Sequence, residues 1–162
     1  MIKTAYFASG CFWGTQYYLD KVEGVVSTSV GYIGGEVANP TYEQVSTGTT
    51  GHVEAIKVEY DPEKISYEEL TKAFFETHDP TQVNGQGPDI GSQYLSKIFY
   101  ADEEEKAVAE KLIAILTEKG MKIATKLEPV ADFYIAEDYH QNYYDGNGQT
   151  PYCHTYHKYF DK

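Results

Sequence analysis

Thr4-Ala5-Tyr6-Phe7-Ala8-Ser9-Gly10-Cys11-Phe12-Trp13-Gly14-Thr15-Gln16-Tyr17-Tyr18-Leu19-Asp20 carries a strand, a sharp turn and a helix in that order. Thr4 to Ala8 is an apolar run of strand length. Thr15 to Asp20 reads as the opening of a helix, inside a candidate span of Phe12 to Lys21. Between them Gly10 permits the tight turn, because without a Cβ it tolerates φ values that other residues resist. Cys11 then falls in the first helical turn. The unpaired N–H groups and the positive end of the helix dipole favour a thiolate there over a thiol. Phe12 and Trp13, the only tryptophan in the chain, place two aromatic faces beside that sulfur.

Outward from this turn, strands and helices interleave without the regular alternation of a doubly wound sheet. Lys3 to Ala8 is the first strand. Val25 to Tyr32, rich in β-branched residues, is the second. Residues 33–40 carry Gly-Gly, Asn and Pro and read as a loop, and Thr41 to Val45 as one helical turn behind Pro40. From His52 to Tyr60, Val53, Ala55, Lys57 and Glu59 alternate with Glu54, Ile56, Val58 and Tyr60. That period predicts a strand with Glu54 on its apolar face. Ser66 to Thr77 predicts a helix, with Ser66 as N-cap and Glu69 in the capping-box position.

His78 to Gln93 holds Pro80, Gly85, Gly87, Pro88 and Gly91, and reads as a long loop of the functional kind. A strand over Tyr94 to Tyr100 follows, then the longest helix, Asp102 to Lys119, ended by Gly120. Ile123 to Val130 is a further strand, and Glu137 to Tyr144 a short helix. Asp145 to Pro151 reads as a flexible linker to the part that carries Cys153. These spans predict an α+β fold, a mixed sheet with helices packed on it. The 162 residues suit a single domain, with a flexible tail from about residue 145.

Hydrophobic content of 41% and charged content of 23% are ordinary for a soluble globular chain. The aromatic fraction is high, with 16 tyrosines, so an arbitrary tyrosine is a core or surface filler. A formal net charge of −12 argues against nucleic acid and anionic membrane surfaces as partners. No apolar stretch approaches the roughly 20 residues that span a bilayer, and the N-terminus lacks a secretory pattern. The expected compartment is the cytoplasm. The two cysteines, Cys11 and Cys153, then point to a catalytic or redox pair rather than a structural disulfide.

Chemistry by itself selects two residues. Cys11 is the candidate nucleophile, and the plainer reading is a small buried hydrophobe. Glu54 among Ile56, Val58 and Tyr60 is expected to be desolvated and held as a neutral acid near neutral pH. Such an acid can donate to an oxygen that is gaining charge. The plainer reading is an edge residue whose carboxylate reaches water. His52 and His78 suit structural hydrogen bonds. Cys153, His154 and His157 lack further ligands nearby, so a zinc site is not expected, nor any other metal.

Gly10-Cys11-Phe12-Trp13-Gly14 resembles the nucleophile motif of the peptide methionine sulfoxide reductase A family. The resemblance continues, in the family's order, through Gly31-Tyr32-Ile33-Gly34-Gly35, Asn39-Pro40-Thr41-Tyr42 and Gly51-His52-Val53-Glu54. It runs on through His78-Asp79-Pro80, Asp89-Ile90-Gly91-Ser92-Gln93-Tyr94 and Ala136-Glu137-Asp138-Tyr139-His140-Gln141. It implies a two-layer, ferredoxin-like core with irregular additions. It also implies reduction of methionine S-sulfoxide, free or in proteins, as repair after oxidative damage.

By that resemblance Cys11 attacks the sulfoxide sulfur, Glu54 protonates its oxygen, and Tyr42 and Tyr94 add donors. Phe12 and Trp13 cup the methyl group, and Asp89 orients neighbouring groups or a substrate amide. Cys153 condenses with the Cys11 sulfenic acid, and thioredoxin, or dithiothreitol in vitro, reopens the disulfide. No bound cofactor is implied. Two other readings remain open at this level. One is an acyl-transfer hydrolase using Cys11 with His52 or His78 as base. The other is a silent module that binds oxidised methionine.

Overall fold

Side chains alternate across a strand, so a strand covered on both faces feeds two separate apolar clusters. In the computed structural model β1 (Lys3–Ser9) does this: Ala5 and Phe7 enter one cluster and Ala8 the other. The structure describes residues 2–10, 12–34, 40–46, 52–83, 85–86, 89–131, 133–136 and 141, with the backbone alone at 42, 46, 89, 90 and 92. The elements after β1 are α1 (Phe12–Leu19), β2 (Val25–Ile33), α2 (Tyr42–Ser46), β3 (Val53–Tyr60) and α3 (Tyr67–Glu76). Then come β4 (Gly85–Gln86), β5 (Asp89–Ile90), a 3-10 turn (Ser92–Tyr94) and β6 (Ser96–Tyr100). α4 (Glu103–Glu118), β7 (Lys126–Pro129) and β8 (Phe133–Ile135) close the described chain.

Six strands form one sheet in the order β7-β6-β1-β3-β2-β8, and β4 pairs with β5 separately. The β6–β7 pair is parallel and the others are antiparallel, so the sheet is mixed, as expected. Helices cover one face. There Phe12 and Leu19 of α1, Leu70, Phe74 and Phe75 of α3, and Leu112 and Leu116 of α4 meet Phe7, Ile56, Val58 and Ile98 of the sheet. Phe7 and Phe74 stack with centroids 4.9 Å apart. The other face gathers Ala8, Ile33, Val53, Ala55 and Phe99 under Leu95 and Phe133. No described helix is long and apolar enough to cross a membrane.

The helix signals act as read. Ser66 Oγ accepts the Glu69 N–H at 3.1 Å, although Glu69 answers the Ser66 hydroxyl rather than its N–H. Asp102 caps α4 by accepting the Glu105 N–H at 2.8 Å. Gly120 follows α4 with φ +94. Three expectations are corrected. The span from His78 to Gln93 is not all loop: it contains β4, β5 and most of the 3-10 turn, and Tyr94 belongs to that turn rather than to a strand. The strand expected from Ile123 begins only at Lys126. β8, which nothing in the sequence announced, adds an edge to β2. The helix expected over Glu137 to Tyr144 lies outside the described residues except at Gln141, and the tail from 145 lies outside them entirely.

One buried chain of hydrogen bonds ties α3 to the strands near the site. His78 Nδ1 faces the Phe74 carbonyl at 2.7 Å, which can only accept, so that nitrogen carries the proton. Nε2 is hydrogen-bonded to Ser96 Oγ, 2.8 Å away, and Ser96 Oγ is hydrogen-bonded to the Thr125 hydroxyl at 2.7 Å. Ser96→Ala should take the Ser96 hydroxyl away from a buried ring nitrogen. The expected loss is about 1–3 kcal/mol at roughly 2–4 °C of Tm for each. A Tm equal to wild type by calorimetry would show that the relay contributes nothing.

Candidate active site

The turn after β1 is closed from several sides. Gly10 has φ +89, a conformation that side chains with a Cβ resist. The Ser9 and Thr15 hydroxyls lie 2.8 Å apart and buried, so the end of β1 is bonded directly to the first turns of α1. Across the sheet, Glu54 Oε1 accepts the backbone N–H of Phe12 at 3.1 Å. That N–H belongs to the first turn of α1, where helical amides have no partner within the helix. The carboxyl of Glu54 is thereby joined to the residue next to Cys11, although 42 residues separate them.

Glu54 is 1% exposed, in agreement with its expected place on an apolar face. It pairs in register with Tyr32, whose ring meets Phe12 at 5.6 Å. Phe12 itself is fully buried in the main core. Trp13, packed against the same core, is only partly buried, so of the two aromatics it keeps an exposed surface. Burial lowers the pKa of His52 from its ordinary value, and its ring meets Tyr134 edge-on at 6.0 Å. The 3-10 turn that carries half-buried Tyr94 packs against β3 and β4. Among the described residues no cluster of His, Cys, Asp or Glu could hold a metal ion. A cavity of about 760 Å³ lies between α1 and α3, lined by residues such as Tyr18, Lys21, Lys72 and Glu76. It includes none of the site residues just described, so volume alone does not mark the chemistry.

Residues 3–162 match the family described as peptide methionine sulfoxide reductase. The chain belongs to this family. It is 49% identical over 153 residues to the peptide methionine sulfoxide reductase MsrA of Sulfolobus acidocaldarius, covering 94% of this chain and 87% of that one. The reduced form of Mxr1 from Saccharomyces cerevisiae superposes with a TM-score of 0.86 at 40% identity, covering 94% of this chain and 89% of that one. Mxr1 in complex with Trx2 superposes with a TM-score of 0.63 at 29% identity, covering 96% and 89%.

Against the family's motif residues, the structure brings together Phe12, Trp13, Glu54 and Gly10 at the end of β1, with Tyr94 on the neighbouring turn. Cys11 and Cys153 lie outside the described residues, as do the side chains of Tyr42 and Asp89, whose backbones begin α2 and β5. His78 does not suit the hydrolase reading: it is buried and both ring nitrogens are engaged. One residue of the site escaped the sequence reading. Gln86 is 2% exposed and packs directly on Gly10, where a built Cβ would stand 2.4 Å from Gln86 Cβ. The only hint was its position inside a glycine- and proline-rich span.

Proposed function

We propose that this chain reduces methionine S-sulfoxide, free or in oxidised proteins, with Cys11 as nucleophile, Glu54 as acid and Cys153 as resolving thiol. The observation that carries this reading is the Phe12 N–H to Glu54 Oε1 bond, which joins a buried acid to the residue beside Cys11. A carboxyl that accepts at Oε1 can carry its own proton on Oε2. The Cys11 thiolate attacks the sulfoxide sulfur while Glu54 protonates the oxygen. In the resulting sulfur–sulfur adduct the hydroxyl passes from the methionine sulfur to Cys11, the methionine S–O and S–S bonds break, and methionine leaves with Cys11 as a sulfenic acid. The Cys153 thiol condenses with it, forming a disulfide and releasing water. A dithiol, thioredoxin in the cell or dithiothreitol in vitro, reduces that disulfide and is itself oxidised.

Trp13, which keeps exposed surface, offers apolar area to the methyl group, fully buried Phe12 supports that cup from the core, and Tyr42 and Tyr94 add hydroxyl donors at the oxygen. Asp89 orients the substrate from β5. The central order β6-β1-β3-β2, all antiparallel, with α1 and α3 on one face, supports a ferredoxin-like core. The protein acts as one catalytic domain in the cytoplasm, with a tail from about residue 145 that brings Cys153 to Cys11; Gly146 and Gly148 give it freedom.

Cys153→Ser tests the cycle apart from the site. The first reduction should proceed and give one methionine per protein, leaving Cys11 as a sulfenic acid. Turnover with thioredoxin should drop sharply, because thioredoxin attacks a disulfide. Turnover with dithiothreitol should largely persist, since that small thiol reaches the sulfenic acid directly. Full thioredoxin-dependent activity in the variant, or no Cys11–Cys153 disulfide in wild-type protein treated with substrate alone, would make the tail cysteine incidental.

A further inference from the structure

Gln86 is buried in β4, and two hydrogen bonds of its side-chain amide go to one residue, Asp79. The Asp79 N–H donates to Gln86 Oε1 at 2.7 Å, and Gln86 Nε2 donates to the Asp79 carbonyl at 2.8 Å. The side chain thus imitates a paired strand and clamps the main chain just beyond His78. His78 is held in turn by Phe74 and Ser96, and the Asp79 carboxylate is engaged by the Thr81 N–H and hydroxyl. On its backbone side Gln86 pairs with Asp89 across the β4–β5 ladder. Its Cβ and Cγ meanwhile form the wall behind Gly10, where a built methyl would lie 2.4 and 2.9 Å from them.

Three segments far apart in sequence therefore converge on one side chain: the Gly10 turn, the Asp79 main chain and the strand of Asp89. The Gly10 turn is also held by the Ser9–Thr15 and Phe12–Glu54 bonds. The three nearest atoms behind Gly10 all belong to Gln86.

We propose that Gln86 is a positioning residue for the reduction step: clamped to Asp79, it backs the Gly10 turn and keeps the nucleophile loop and the Asp89 strand in one relative placement. The proposal rests on the reading of Cys11 as nucleophile. Displacement of a reacting group by about 1 Å costs on the order of 10² in rate, so a wall behind the turn has a kinetic signature.

Two variants separate positioning from bulk. Gln86→Met keeps length and volume but cannot bond Asp79. Gln86→Glu keeps both bonds only when protonated; ionised, it loses the donor and sets a charge against the Asp79 carbonyl. Burial would hold such a carboxyl above its ordinary range, so it titrates within the accessible pH window. The measurement is methionine formed in a single turnover by full-length, reduced protein without added reductant, beside the Tm of each variant. Gln86→Met should slow that turnover about 10- to 100-fold while still reaching one methionine per protein. For Gln86→Glu the rate relative to wild type should rise as pH falls from about 8 to about 5.5. Cys11, His78, Asp79 and Asp89, the titratable groups on the segments joined to Gln86, are common to both proteins, and the ratio removes their contribution.

A Gln86→Met rate within about twofold of wild type would overturn the proposal, as would a Gln86→Glu ratio flat with pH. If Gln86→Met does not fold, the Gln86→Glu ratio decides alone. Wild-type protein that forms no methionine in the same assay would overturn the Cys11 reading, and this inference with it.

Discussion

Cys11→Ser protein is expected to form no methionine from methionine S-sulfoxide, with thioredoxin or with dithiothreitol. A serine hydroxyl at neutral pH is a far poorer nucleophile toward sulfur than a thiolate. Loss of a nucleophile in other enzymes costs about 10⁶ in turnover, so the residual rate should fall below detection. The change is nearly isosteric. It leaves the Gly10 turn, the Ser9–Thr15 contact and the Phe12–Glu54 bond in place, so circular dichroism and Tm should match wild type. Appreciable methionine formation by the folded variant would remove Cys11 from the mechanism, and with it the disulfide cycle.

Glu54→Gln should lower the rate of methionine formation by about 10² to 10⁴, the range for removal of a general acid. The structure makes this variant informative, because a glutamine oxygen can still accept the Phe12 N–H that Glu54 Oε1 accepts at 3.1 Å. The first turn of α1 is then kept while the transferable proton is lost. Glu54→Ala removes both functions, and its exposed need for a partner at the buried Phe12 amide adds about 1–3 kcal/mol of destabilisation. The pair of variants thus splits chemistry from architecture: Gln should lose rate at nearly constant Tm, and Ala should lose both. A Gln variant with unaltered rate between about pH 6 and 9 would show that Glu54 serves only to hold the helix.

Much of this site was legible because its signals are local. Gly10 between an apolar run and a helix opening marks the turn, and φ +89 there is the conformation that glycine supplies. Strict alternation from Val53 to Tyr60 placed Glu54 on the apolar face, where it is 1% exposed. Ser66 announced its helix through a short side chain that reaches the third N–H onward.

What stayed hidden has little local signature. β4 and β5 are two residues each, too short for any period to appear, and they exist because they pair with one another. β8 is three residues at a sheet edge and is ordered by its ladder to Gly31, Tyr32 and Ile33. Its first residue, Phe133, also covers the second cluster, a role decided by the partner face rather than by its neighbours.

The sequence by itself determined the longer strands and helices, the turn before Cys11, the apolar face that carries Glu54 and, through its ordered motifs, the family. Only the tertiary structure decided which distant groups meet: Glu54 with the Phe12 amide, Gln86 with Gly10 and Asp79, His78 with Ser96 and Thr125. The physical reason is range. Propensity, capping and hydrophobic period act over a few residues, whereas a hydrogen bond across 42 residues forms only after the sheet has closed the loop between its ends.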